Sequence, residues 1–228
     1  MNNIEYIKQS VSELLGKDSS GHDDQHVFRV YNTAMKFCNE IPEANRDLVA
    51  VAALLHDCDD YKLFGEESAR LMTNTKRILA GSGFDDDFIK KCIEIVKTIG
   101  YSKRLSGIMP DCIEGKIVSD ADMVDATGLI GVIRCIEYHA SHSEREEPFF
   151  DPDNLPTEID VTTYKQTTYC PAVNHFFDKL FKLRDMALTE PGRKCISEKH
   201  KTIFNFLKTY FDEVDAPDVW KDLLAQYA

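Results

Sequence analysis

An all-α fold is predicted for this 228-residue chain by three observations. Apolar residues recur at three- and four-residue spacing through most of its length, as the buried face of a helix requires. No segment alternates β-branched and polar residues in the manner of a half-buried strand. Helix-stopping glycines and prolines, such as Gly16, Pro42 and Gly81, fall between the periodic stretches. The 43% apolar share is that of an ordinary globular protein and is enough to bury a sizeable core.

In order, Ile4, Ile7, Val11, Leu14 and Leu15 form the stripe of a first helix, which Gly16 ends. Val27, Val30, Tyr31, Ala34 and Phe37 form that of a second, closed at Ile41-Pro42 because the residue before a proline is pushed out of the helical region. Leu48, Val51, Ala52 and Leu55 mark a third, which runs directly into His56-Asp57. A helical stretch from about Glu66 to Ala80 stops at Gly81-Ser82-Gly83. Asp85 is placed to cap a helix carrying Ile89, Ile93 and Val96 that ends near Gly100. Helical spacing resumes from Ile113 to Tyr138, where Gly128 and Gly131 permit a break or a close approach. Ser141 to Gln166 is polar, holds three prolines and has no period, so it reads as a long loop. Pro171, Pro191 and Pro217 each stand where a first helical turn can begin. They open three C-terminal helices with apolar positions at Phe176, Leu180, Leu183, Ile203, Phe206, Leu207, Tyr210, Trp220 and Leu224.

Charge and cysteine usage narrow the partners. A formal net charge of -12 repels a long polyanion, so extended nucleic acid is not an expected ligand. A small anion remains compatible, since a bound metal ion outweighs the global field locally. The seven cysteines (38, 58, 92, 112, 135, 170 and 195) are odd in number, and no two stand two residues apart. They define neither a zinc ribbon nor a closed disulfide set, and they fit a reducing, cytoplasmic compartment. The N-terminus lacks a basic start followed by an apolar block, so no signal peptide is expected. The longest apolar run, Leu48 to Leu55, is too short to cross a bilayer, and no membrane association is expected. The sequence leaves open whether copies associate as a homo-oligomer.

The chemistry-bearing residues begin at Leu54 to Lys62, where a strongly apolar helix ends in His56 and Asp57, followed by Asp59, Asp60 and Lys62. Imidazole and carboxylate together suit Mn, Fe, Co or Zn and, less well, Mg. The plainer reading is helix termination, because a histidine at a helix C-terminus interacts well with the dipole. Two adjacent residues cannot close a coordination sphere, so partners must come from elsewhere. His22 and His26 stand four apart near the start of the second helix, and His26 lies beside the apolar stripe. His22 reads as a cap or a group outside the ligand set. Downstream, Asp120, Asp122 and Asp125 sit among Ile117, Val118, Met123 and Val124. Asp122 and Asp125 share one face of the helix, and Asp120 is turned about 200° from Asp122. Such acids are costly to bury unless paired or metal-bound; a solvated face is the other reading. The ordered set His, His-Asp, Asp at wide spacing is far more informative than any member alone.

With those residues in view, the chain resembles the HD-domain superfamily of metal-dependent phosphohydrolases, and more narrowly its bacterial cytosolic members. The match runs through His22-Asp23, His26 to Val30 and Leu54 to Asp57. It continues through Glu114 to Val118, Asp120-Ala121-Asp122 and Asp125 to Gly128, and returns at His175 to Leu180 and Thr189 to Arg193. It covers roughly residues 20 to 212. The resemblance implies an HD-domain helical bundle with additional C-terminal helices. It is expected to be one all-helical domain over 1–228, with a core at about 20–140 and an extension at about 167–228. It implies one divalent ion (Mn, Co, Ni, Fe, Zn or Mg) held by His26, His56, Asp57 and Asp122, with Asp120 as runner-up. It further implies Asp60 as the carboxylate acting on the nucleophilic water, and Arg29 and Lys62 as phosphate-binding groups. His22, His175, Lys179 and Arg193 are the candidates for contact with substrate. The chain departs from the family at Asp178, where a glutamate is usual, and Ser141 to Gln166 has no clear counterpart.

The activity implied is hydrolysis of a phosphate ester or anhydride of a small molecule or nucleotide. Two alternatives belong to other classes. One is a regulatory module that binds metal and nucleotide without turnover; the presence of the ligand set and of Asp60 favours the enzyme. The other is a two-metal oxygenase, which needs further histidines between His56 and Asp122, and none occurs from Asp57 to Glu137.

Overall fold

Why the helices start and stop where they do is visible in the computed structural model, which describes residues 3–16, 24–142, 146–156 and 171–228. Every regular element among the described residues is helical, so the all-α expectation holds. The chain divides into two units, Met1–Asp122 and Met123–Ala228.

The first unit contains α1 (Asn3–Leu15), α2 (Asp24–Glu40), α3 (Arg46–Leu55), α4 (Tyr61–Leu71), α5 (Thr73–Ala80), α6 (Asp86–Val96), α7 (Tyr101–Leu105) and most of α8 (Ile113–Asp125). Helix α3 is its centre: every residue from Leu48 to Leu55 is buried, and α1, α2 and α6 all lie against it. A helix apolar on all sides belongs in a core rather than at a surface. Asn45 caps α3 by accepting from the Leu48 N–H at 3.1 Å, while its own N–H donates to Glu114 Oε1 at 2.9 Å. The start of α3 is thereby tied to the start of α8. Ile7, Val11 and Leu15 of α1 and Val27, Val30, Ala34 and Phe37 of α2 complete the stripes expected from the sequence.

Two details differ from that expectation. The stretch anticipated from Glu66 to Ala80 is preceded by a helical turn from Tyr61, capped by Asp60, which accepts from the Lys62 N–H at 2.8 Å; Gly65, whose backbone is not helical (φ 79°, ψ 165°), separates the two within α4. It is also broken at Met72, whose backbone is left-handed (φ 56°), so that α4 and α5 are separate helices. The short α7 was not foreseen; five residues are too few to show a period.

In the second unit, α9 (Gly128–Ser141) and the long α11 (Glu190–Glu213) lie together, and α12 (Asp218–Ala225) packs on α11. The break anticipated at Gly128 is present: its φ of 66° favours glycine, and a side chain there would press on Lys199. Between α9 and α11, α10 (Ala172–His175) passes into a π turn over Phe176–Leu180 and then a 3₁₀ stretch over Phe181–Met186. Trp220 is wholly buried, donates Nε1–H to the Pro152 carbonyl at 2.9 Å, and meets Phe150 edge-on with ring centroids 5.0 Å apart. Of the expected loop, Ser141 ends α9, residues 146–156 are without helix, and 143–145 and 157–166 lie outside the described residues.

Candidate metal centre

The end of α3 is where the buried helix meets polar chemistry. His56 remains helical (φ -60°, ψ -31°), and its Nδ1 lies 2.8 Å from the Ala53 carbonyl. A carbonyl only accepts, so Nδ1 carries the proton. In the neutral ring, Nε2 is then left as the lone-pair nitrogen. That nitrogen stands 3.2 Å from Nε2 of His26 on α2. Two carboxylates close on the same point. Asp57 places Oδ2 at 3.3 Å from His26 Nε2 and Oδ1 at 3.5 Å from His56 Nε2. Asp122, from α8, places Oδ1 at 3.6 Å and 3.8 Å from the same two nitrogens.

These separations test whether a cation fits. Metal–ligand bonds of about 2.0–2.2 Å set neighbouring donors about 3.0 Å apart in an octahedron and about 3.4 Å apart in a tetrahedron. The 3.2 to 3.8 Å between donors lie at or slightly above those edges. One ligand atom each from His26, His56 and Asp122 lie within 4.8 Å of one another. Asp57 adds a fourth residue that reaches both imidazoles. Two nitrogens and two carboxylates form a donor set suited to borderline divalent metals, and the residues fit such an ion. Both imidazole side chains are 1% exposed, against 14% for Asp57 and 24% for Asp122. The histidines form a buried floor, and the carboxylates border the side open to solvent.

The remaining acids have other partners. Asp120 is completely buried on the far side of α8 from Asp122, and Arg104 is its electrostatic counterpart. Burial lowers the Arg104 pKa, and Asp120 opposes that shift. Asp125, within the second unit, pairs with Arg134 at 3.1 Å. The three aspartates on this helix thus have distinct surroundings. Asp59, which sequence reasoning passed over, is 6% exposed and accepts from Ser68 Oγ at 2.6 Å, Asn74 N at 2.9 Å and Thr75 N at 2.8 Å. Nothing in a run of aspartates marks which one turns inward.

Of the residues expected to assist catalysis, Asp60 and Lys62 lie together at the start of α4, and Arg29 is half-buried on α2 three residues after His26. His22 lies outside the described residues. His175 ends α10 and Lys179 lies in the π turn, both half-buried. Arg193 is exposed near the start of α11, where Nε pairs with Glu190 at 3.3 Å and NH1 donates to the Ala187 carbonyl at 3.2 Å. Asp178, the position of departure from the family, is buried, and desolvation raises its carboxyl to about 6 while Lys182 pulls it down.

An all-α core with a His, His-Asp, Asp centre defines an HD domain, and residues 23–127 match the model of that family. The chain is 30% identical to YpgQ of Bacillus subtilis (strain 168) over 217 residues, 94% of either protein. On this evidence it belongs to the HD superfamily. Among solved structures, a Lactobacillus plantarum protein superposes with a TM-score of 0.81 at 27% identity, covering 94% of this chain and 98% of that one. The structure of YpgQ in complex with ADP gives 0.68 at 27% identity, covering 92% and 97%. An HD-superfamily hydrolase of Bacillus thuringiensis gives 0.67 at 28% identity, covering 94% and 97%. Among the described residues, no helix is long and apolar enough to cross a membrane.

Proposed function

We propose that the protein is a metal-dependent phosphohydrolase that cleaves a phosphate ester or anhydride of a small molecule, with a nucleotide as the favoured class. The observation that carries this reading is the convergence of His26, His56, Asp57 and Asp122 on one point with an open carboxylate side. The nucleotide preference is supported by the ADP complex of YpgQ, a relative matched along almost the whole chain.

His26, His56, Asp57 and Asp122 hold the cation in this reading. When bound, a divalent cation polarises a phosphoryl oxygen and makes water acidic near neutral pH. Asp60 takes the proton of the attacking water, a task that needs hydrogen-bond reach rather than an extreme pKa. Lys62 and Arg29 offset the charge that builds on the phosphoryl oxygens. In a protein of net charge -12, such local cations are what let an anionic substrate approach. The test is hydrolysis of a panel of nucleoside di- and triphosphates and sugar phosphates, with Mn²⁺, Co²⁺, Zn²⁺ or Mg²⁺ added to chelator-treated protein. Phosphate or pyrophosphate release that requires the metal and disappears in His56→Ala is the expected result. Full turnover by folded His56→Ala would refute it.

A further inference from the structure

Between the metal-binding candidates His56 and Asp57 and the water-directed Asp60 lies a turn held by contacts that the hydrolytic reading leaves unexplained. The Cys58 N–H donates to the Leu55 carbonyl at 3.1 Å and the Asp60 N–H to the Asp57 carbonyl at 3.1 Å, so the turn is closed on itself. It is also fastened from outside. Asn74 Nδ2 donates to the Cys58 carbonyl at 3.0 Å, and the Asp59 carboxylate collects Ser68 of α4 together with the N–H groups of Asn74 and Thr75. Asn74 and Thr75 are the second and third residues of α5, whose N-cap, Met72, offers no side-chain acceptor. Asp59 therefore caps α5 from another segment of the chain. A buried carboxylate is tolerated there because three donors and the positive end of the helix dipole offset its desolvation.

We propose that Asp59 is a positioning residue for the cation site. By tying the turn to the α4–α5 junction, it holds the Asp57 carboxylate at the spacing from His26 and His56 that coordination requires. The proposal rests on the metal-site reading above. Asp57 is bracketed by the end of α3 on one side and by this anchor on the other. Released from the anchor, the turn would carry the Asp57 oxygens away from their present 3.3 and 3.5 Å separations. Partners that orient metal ligands from outside the coordination sphere typically cost about 10–100-fold in metal affinity when removed.

The experiment titrates metal-free protein with Mn²⁺ alone and follows free Mn²⁺ by electron paramagnetic resonance. The proteins are wild type, Asp59→Asn, Ser68→Ala, Asn74→Ala, His56→Ala and a control, Asp85→Ala, which removes the cap of α6 (Asp85 accepts from Phe88 N at 2.9 Å). The expected result is one Mn²⁺ per wild-type chain, lost in His56→Ala. Affinity should fall about tenfold or more in Asp59→Asn, which cannot accept at all three contacts, and by a smaller factor in Ser68→Ala and Asn74→Ala. Asp85→Ala should lower the urea midpoint while leaving Mn²⁺ affinity unchanged. Wild-type affinity in folded Asp59→Asn would overturn the proposal and reduce Asp59 to a helix cap. Should that variant fail to fold, unchanged affinity in both Ser68→Ala and Asn74→Ala would overturn it equally. A wild type that binds no Mn²⁺, or binds it independently of His56, would overturn the site reading itself and this proposal with it.

Discussion

Replacing Asp122 and Asp120 one at a time separates the two candidates for the last metal ligand by a thermal measurement. Asp122 stands 3.6 and 3.8 Å from the two imidazole nitrogens, whereas Asp120 is buried on the opposite side of α8 with Arg104 as its countercharge. A cation bound only by the native state stabilises it by about 2.7 kcal/mol at one hundred times its dissociation constant. At about 2–4 °C per kcal/mol for a chain of this size, Mn²⁺ should raise the wild-type Tm by about 5–11 °C. If loss of the Asp122 carboxylate weakens the site a hundredfold, the same Mn²⁺ concentration contributes only about 0.4 kcal/mol, a rise of about 1–2 °C. Asp120→Asn, which leaves Arg104 without its buried countercharge, should lower the metal-free Tm yet keep the full Mn²⁺-induced rise. Differential scanning calorimetry of chelator-treated protein with and without Mn²⁺ measures both quantities. A full rise in Asp122→Ala together with no rise in folded Asp120→Asn would refute the assignment.

Three other outcomes are expected. Asp60→Asn should keep α4 capped, since asparagine caps as well as aspartate, but lower kcat by about 10²–10³-fold in the metal-dependent assay with Mn²⁺ affinity within about twofold of wild type. The buried Asp178 carboxyl is held at about 6 instead of the ordinary 3.8, so its stabilising contribution is fully present below about pH 4 and is lost as pH rises through 6. Asp178→Asn should therefore gain stability relative to wild type above pH 6, up to about 3 kcal/mol if the whole difference is expressed, and urea unfolding at pH 4.5 and pH 7.5 reads it. Trp220→Ala removes a fully buried ring and the bond to Pro152. It should cost about 3–5 kcal/mol by urea denaturation followed by circular dichroism.

The helical elements were legible because their burial is one-sided and therefore periodic: Ile7, Val11 and Leu15, or Val27, Val30 and Ala34, announce both a helix and its inner face. The break at Met72 was hidden, because a left-handed methionine has no sequence signature of the kind that glycine supplies at Gly128. At the site, residue types and order pointed to His26, His56 and Asp57, whereas the choice between Asp122 and Asp120 turned on which side of one helix faces α2 and α3. The neighbouring half-buried Arg104 was invisible for the same reason: a lone arginine in a five-residue helix says nothing about what it opposes. The inward role of Asp59, one of three aspartates in that run, was not legible because its donors lie nine to sixteen residues away, and two of them are backbone groups.

The unequal exposure of the four converging side chains has a kinetic consequence. Ion exchange proceeds through whichever bonds water and competing chelators can reach, and for a cation held here those would be the bonds to Asp57 and Asp122 rather than to the nearly inaccessible histidines. Any cation seated in this centre would be released from its oxygen side first, with the two nitrogens as the last hold. Such a centre would be a replaceable holder rather than a sealed cage. Its occupant would follow the supply of free divalent ions around it, as expected where raw affinity alone does not select the metal.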